Sequence, residues 1–233
     1  MKYAIYPELQ GTISASSEDG AYPATNLSNN YRRKVYKAIA GTNSATLTVP
    51  ISAGSSGIAL FETNATSATI SITGVGLSTS WTIADGRYWQ PYTAYGSSHT
   101  ATIVLTAPSG TTLEAGIIRA GTIVEMKGLK YSATETLNDF SIKTKLRNGA
   151  YYTKKLEMAR TFSYSCDMAR ETDFRELMTI YKYYGPDPFA MLLTDDTDND
   201  NRWAVFGSFG SVPSASHAYP SDSTVSIKIE EAV

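Results

Sequence analysis

Hydrophobic and polar positions alternate in several short segments of the chain. Ala45–Pro50 reads apolar and polar in turn, as do Ala68–Thr73 and Thr161–Cys166, and Thr100–Thr106 reads as a further strand. A period of two puts alternate side chains on opposite faces of a strand, so each segment predicts a half-buried strand. Gly57–Glu62 is continuously apolar until its last residue and predicts a buried strand. Lys2–Tyr6, Phe189–Leu193 and Trp203–Phe209 complete the strand set. Asp19-Gly20, Pro23 and Asn26 punctuate the first third as turn residues.

One segment has a helical period. Within Glu171–Tyr184, Phe174, Leu177, Met178 and Tyr181 fall at i, i+3, i+4 and i+7. Thr172 stands at the N-cap position, with Asp173 and Glu176 near the positive end of the dipole. Gly185 suits the left-handed C′ position and Pro186 stops continuation. A single amphipathic helix in a β-rich chain covers an open sheet face. The sheet expected beneath it is Lys154–Met168, Phe189–Leu193 and Trp203–Phe209. The fold class is therefore mainly β: two β-sandwich domains, the C-terminal one with a single flanking helix at about 171–184.

Charge divides the chain. Residues 1–110 hold 6 basic and 5 acidic side chains, and residues 111–233 hold 14 and 17. With Ala107-Pro-Ser-Gly-Thr111 as a turn-rich joint, the expected domains are 1–112 and 113–233. A net charge of −2 excludes a dedicated basic nucleic-acid binder. The single cysteine, Cys166, excludes an internal disulfide framework and reads as a small core residue. No apolar run approaches the ~18 residues of a membrane span. Met1–Tyr6 lacks the pattern of a signal peptide, so folding in a cytoplasm is expected.

Four groups of residues carry candidate chemistry. Arg32, Arg33, Lys34 and Lys37 cluster around Val35-Tyr36 and read first as a solvated edge strand or loop. Trp81, Tyr88, Trp89, Tyr92 and Tyr95 crowd one segment. Candidate carbohydrate contacts there are Trp81, Asp85, Arg87, Trp89 and Tyr92, with Gln90 beside them; the alternative is that the rings fill one end of a sandwich or pack between subunits. Asp195, Asp196, Asp198 and Asp200 form the densest acidic run. Asn201 and Gly207 stand where a calcium loop needs Gly and Glu, so the run is not an EF-hand. It reads as a hairpin tip, solvated or lining a channel that phosphate must not stick to; a metal site is the weaker reading, and no metal or cofactor is assigned. His99 and His217 both fall in Ser- and Ala-rich stretches and read as surface-loop histidines. No carboxylate pair or nucleophile elbow is selected, so no catalytic residue is assigned.

Ser14-Ala-Ser-Ser17, Ala21-Tyr-Pro-Ala-Thr-Asn-Leu27, a basic-aromatic strand and Ala59-Leu-Phe-Glu-Thr-Asn-Ala-Thr66 follow one another. This order resembles the discoidin-like, galactose-binding-like β-sandwich as it occurs in phage tail proteins. A Trp normally follows the Pro-Ala-x-Asn-Leu turn in that family; here Val35-Tyr36 hold its place. In the second half, Asp139-Phe-Ser141, Gly149-Ala-Tyr-Tyr152, Ala159-Arg-Thr-Phe162, the helix, Gly185-Pro-Asp-Pro-Phe189 and Ile227–Glu231 occur in order. They resemble siphophage tail-tip proteins of the distal-tail type, whose core is related to the tail-tube fold. The resemblance implies a non-enzymatic virion protein made in a host bacterial cytoplasm. It would form a homo-oligomeric ring between tail tube and hub, next to the tape-measure protein, with DNA only as transit cargo. The alternative is an adsorption module that binds host-surface glycan through its first domain.

Overall fold

Strand Ser44–Ile51 buries Ala45, Leu47, Val49 and Ile51 and leaves Ser44 exposed, as its alternation dictates. Residue by residue it pairs with His99–Thr106, which in turn pairs with Ser67–Ile72, so Leu47, Ile103 and Ile70 meet on one face. The computed structural model describes residues 3–31, 33–83, 85–125, 133–145, 147, 150–156, 158–169, 172–194, 203–216 and 222–232. It is mainly β, built of antiparallel sheets with one α-helix among the described residues.

The chain forms two compact units. The first is Met1–Met126 with Phe189–Phe206, and the second is Lys127–Pro188 with Gly207–Val233. This differs from a cut at 112/113. Strand Ile117–Glu125 is hydrogen-bonded to Gly57–Phe61 on one side and Tyr3–Glu8 on the other, which ties it to the first unit. Phe189–Leu192 also pairs with Tyr3–Glu8, through Tyr3↔Leu192 and Ala4↔Met191. It is a strand of the first unit, and it neighbours Ala204–Phe209 in the same sheet, as expected.

In the first unit neighbouring strands of one sheet are 204–206, Phe189–Leu192, Tyr3–Glu8, Ile117–Glu125, Gly57–Phe61 and Tyr88–Pro91. The other runs Ser14–Ala15, Ser44–Ile51, His99–Thr106, Ser67–Ile72, Leu77–Thr82. Ile58, Leu60, Ile118 and Ala120 of the first sheet join Leu47, Val49, Ile70, Ile103 and Leu105 of the second in one apolar core. That is a sandwich. Leu27, Tyr36 and Leu113 close its end. The basic-aromatic segment contributes only the short strand Tyr36–Lys37, paired with Glu114–Ala115. Tyr36 points inward and its hydroxyl donates to the Ser17 carbonyl, while Arg33 and Lys34 beside it are exposed.

In the second unit Met158–Ala169 pairs with Thr134–Asp139 on one side and Asp222–Glu231 on the other. Asp222–Glu231 also pairs with Gly207–Phe209 and with Ser214–Ser216. Phe162, Tyr164, Cys166, Val225, Ile227 and Ile229 are buried on one face of these strands. The helix, Asp173–Tyr184, packs against Met158–Ala169, and Tyr181 meets the Phe209 ring edge-on at 5.4 Å. Its buried residues are Leu177, Ile180 and Tyr184; Phe174, Met178 and Tyr181 are half-buried flanks. The helix is apolar over a broad arc, and the sheet selects one side of it. The Thr172 carbonyl accepts the first helical bond, from Glu176 N at 3.0 Å, but its hydroxyl turns to Asp173 and caps nothing. Gly185, at φ +56°, donates to the Tyr181 carbonyl and ends the helix.

The expected strand Lys154–Met168 is two strands. Tyr151–Lys154 turns away from it and pairs with Ile142–Lys145 as a separate two-stranded hairpin.

Candidate functional site

The aromatic segment is ordered by two strands and a tight turn between them. Leu77–Thr82 carries Trp81 into the sandwich core, where Tyr88 stacks on it at 3.7 Å and 17°. Trp81 Nε1 donates to Gln90 Oε1 at 3.1 Å, so the one polar atom of the indole is satisfied. Trp89 stands opposite Ala59 in the pairing with Gly57–Phe61 and is buried on that side of the sheet. Asp85 and Gly86 both have positive φ, +55° and +67°, and make the turn. The backbone of Gly86 accepts from Thr63 N at 3.1 Å, and a Cβ there would stand 2.7 Å from the Thr63 carbonyl oxygen. Only glycine fits that approach.

The five candidate carbohydrate contacts are therefore distributed as follows. Trp81 and Trp89, 3% and 2% exposed, present no ring face to solvent. Asp85 is exposed at the turn. Arg87 is drawn inward, with Nη1 donating to the Ala204 carbonyl at 3.4 Å and Nη2 lying 3.9 Å from Glu62. Tyr92 is half-buried, its hydroxyl 2.5 Å from Ser55 Oγ, and burial raises its pKa above the usual phenol value. Ser55 in turn donates to the Gly121 carbonyl at 2.9 Å. Trp81 and Tyr88 thus pack in the sandwich core, and Trp89 is buried beside Ala59 on the opposite face of its sheet.

His99 lies in strand His99–Thr106 and is 7% exposed, a correction to its expected surface-loop position. Tyr92 and Tyr95 meet its ring edge-on at 5.9 and 5.8 Å, and its Nδ1 lies 3.1 Å from the Ser97 carbonyl. His217 and the run Asp195, Asp196, Asp198 and Asp200 lie outside the described residues. Cys166 is buried in its strand as expected. Among the described residues no cluster of three His, Cys, Asp or Glu side chains is placed to hold a metal ion. No described helix is long and apolar enough to cross a membrane.

Two features escape a reading of the sequence. The first is Arg119, fully buried in strand Ile117–Glu125. It donates to the Leu27 and Asn29 carbonyls at 3.2 and 2.8 Å and to Asn30 Oδ1 at 2.8 Å, and its guanidinium lies over the Phe206 ring at 5.0 Å. The signal was a lone cation inside the apolar run Ile117-Ile-Arg-Ala120. The second is the hairpin of Ile142–Lys145 and Tyr151–Lys154, exposed at all eight positions. Its foot is pinned by Ser141: N donates to Asp139 Oδ1 at 2.9 Å and Oγ accepts from Leu156 N at 3.1 Å. Hydrogen bonds to the carboxyl from the Ser141 side chain and backbone, aided by Lys143 and Lys155, hold Asp139 below its ordinary range.

The second unit also has a cleft of about 330 Å³ lined by Ser163, Ser165, Ser211, Ser214, Ser226 and Lys228, among others. Lys228 Nζ is paired with Glu230 at 2.6 Å. The lining offers hydroxyls and one ammonium.

Neither a protein-family model nor a curated protein sequence matches the chain. Among solved structures it is similar to reduced XRCC1 bound to the DNA pol beta catalytic domain. That likeness has 14% identity and TM-score 0.40, and covers 50% of this chain and 99% of that one. It is also similar to chitosan-binding module 1 of a chitosanase/glucanase from Paenibacillus sp. IK-5. There the identity is 17% and the TM-score 0.39, covering 48% of this chain and 96% of that one.

Proposed function

We propose that this chain is a structural protein of a long-tailed bacteriophage tail tip, one of several copies in a ring between tail tube and hub. The reading gives it no catalytic role. Its partners are other copies of itself, the tail tube, the tape-measure protein and the hub, and DNA passes only as cargo. The motif orders set out above suggested it. The observation that carries it is the second unit: antiparallel strands with one helix packed on them, and beside them a hairpin that the unit itself leaves uncovered. Antiparallel strands, one covering helix and an arm offered outward suit a protein whose work is to be joined to neighbours.

The glycan-binding alternative needs ring faces open to a sugar, and both tryptophans of the candidate platform are turned inside. The test is electron microscopy of long-tailed phage particles carrying an epitope-tagged copy of this chain. Antibody label at the distal end of the tail supports the reading. Particles with complete tails and no label there contradict it.

A further inference from the structure

Strand Ile142–Lys145 faces Tyr151–Lys154 through Ile142↔Lys154, Lys143↔Thr153, Thr144↔Tyr152 and Lys145↔Tyr151. Residues directly opposite share a face. One face therefore carries Ile142, Thr144, Tyr152 and Lys154, and the other Lys143, Lys145, Tyr151 and Thr153. Ile142, Tyr151 and Tyr152 are 51%, 69% and 56% exposed. Leu137, Phe140 and Met158, next to the foot of the hairpin, are exposed as well. A two-stranded hairpin with both faces in water is marginal by itself. Apolar and aromatic side chains concentrated on it mark a surface that a partner covers.

Charge says which partner. Between Asp139 and Glu157 stand five basic residues, Lys143, Lys145, Arg147, Lys154 and Lys155, and no acidic one. The whole chain has 20 basic and 22 acidic residues, so everything outside this segment holds 15 and 22. A basic arm projects from an acidic body. Complementary charge steers association and fixes register. The acidic surface present at the highest local concentration in an assembly of copies is the body of the next copy.

We propose that the hairpin is an arm that docks on the body of a second copy of this chain, its tyrosines and Ile142 buried and its lysines set against carboxylates. Arm and body are different surfaces, so the contact is heterologous and repeats from copy to copy. The inference deepens the ring reading and rests on it for its setting, but it can be tested without any phage component.

The full chain is followed by sedimentation over a range of concentration and salt, beside Lys143→Glu with Lys145→Glu and Tyr151→Ser with Tyr152→Ser. All four positions are exposed, and unchanged melting of the variants establishes that they fold. The expected result is self-association that weakens with salt. Each double variant should lower the association constant about tenfold or more. A chain that stays monomeric throughout, or charge-reversed protein that associates like the parent, overturns the proposal. A gel shift with duplex DNA runs alongside: DNA binding lost on charge reversal, without self-association, would assign the arm to nucleic acid and also overturn it. Absence of the chain from phage tails would defeat the tail reading and leave this measurement standing.

Discussion

Arg119 Nε lies 3.0 Å from Glu8 Oε1, a contact between neighbouring strands in which the guanidinium is wholly buried and the carboxylate is not. The contact is electrostatic: its alignment falls short of a hydrogen bond at Nε. The other guanidinium nitrogens bind the carbonyls of Leu27, Ile118 and Asn29 and the Asn30 side chain. One side chain thus fastens the turn after Leu27 to the centre of a sheet. Removing Arg119 orphans several carbonyls and strips a carboxylate of its cation. Arg119→Ala should cost about 3–5 kcal/mol in denaturant unfolding. Glu8→Gln keeps a neutral acceptor and should cost less. Equal costs would show that the Glu8 contact, and not the carbonyl clamp, carries the effect.

Three tyrosines resist ionisation. Burial, aided by Glu18, pushes Tyr36 up to about 12, and burial raises Tyr92 and Tyr164 too. A raised folded pKa favours the neutral phenol in the folded state. Its contribution is intact below the unfolded tyrosine value, near 10, and is lost as pH rises through the folded one. Melting temperature should therefore hold to about pH 10 and fall between about 10 and 12. Tyr36→Phe should lower stability at neutral pH by about 1 kcal/mol through the lost bond to Ser17, and should flatten the alkaline fall. An unchanged alkaline slope in that variant would contradict the assignment to Tyr36.

Trp81 and Trp89 act on stability in this account. Trp81→Ala should cost about 3–5 kcal/mol as a large-to-small core change. Calorimetric titration of the full chain with host-surface glycans should give at most weak binding. A micromolar sugar ligand lost on Trp89→Phe would promote the adsorption reading.

The fold class was legible because alternation is a local signal. Strand Ser44–Ile51, strand His99–Thr106 and the end of the helix at Gly185 all follow from spacing and turn residues. The unit boundary was not, because it depends on which strand finds which. Nothing in Phe189–Leu192 says that it pairs with Tyr3–Glu8, at the far end of the chain. His99 misled for the same reason. Its neighbours are Ser-rich, but register with Ile51 places it in a strand, beside two tyrosines. The aromatic segment shows the limit of composition: rings that stack on sugar and rings that fill a core are the same residues, and only burial separates them.

Asp195, Asp196, Asp198 and Asp200 remain an expectation of the sequence. As a solvated or channel-facing tip they should leave thermal melting unchanged by calcium. A rise that saturates with calcium and disappears in Asp198→Asn would make the run a binding site.

The central claim is that this chain is one of several identical subunits in a ring at the end of a tail. Its most direct test is cryo-electron microscopy of the distal tail of a phage that carries it. The predicted result is a closed ring of copies around the tail axis, with the second unit bearing the ring contacts. Density for this chain elsewhere on the particle, or as a single unrepeated copy, would contradict it.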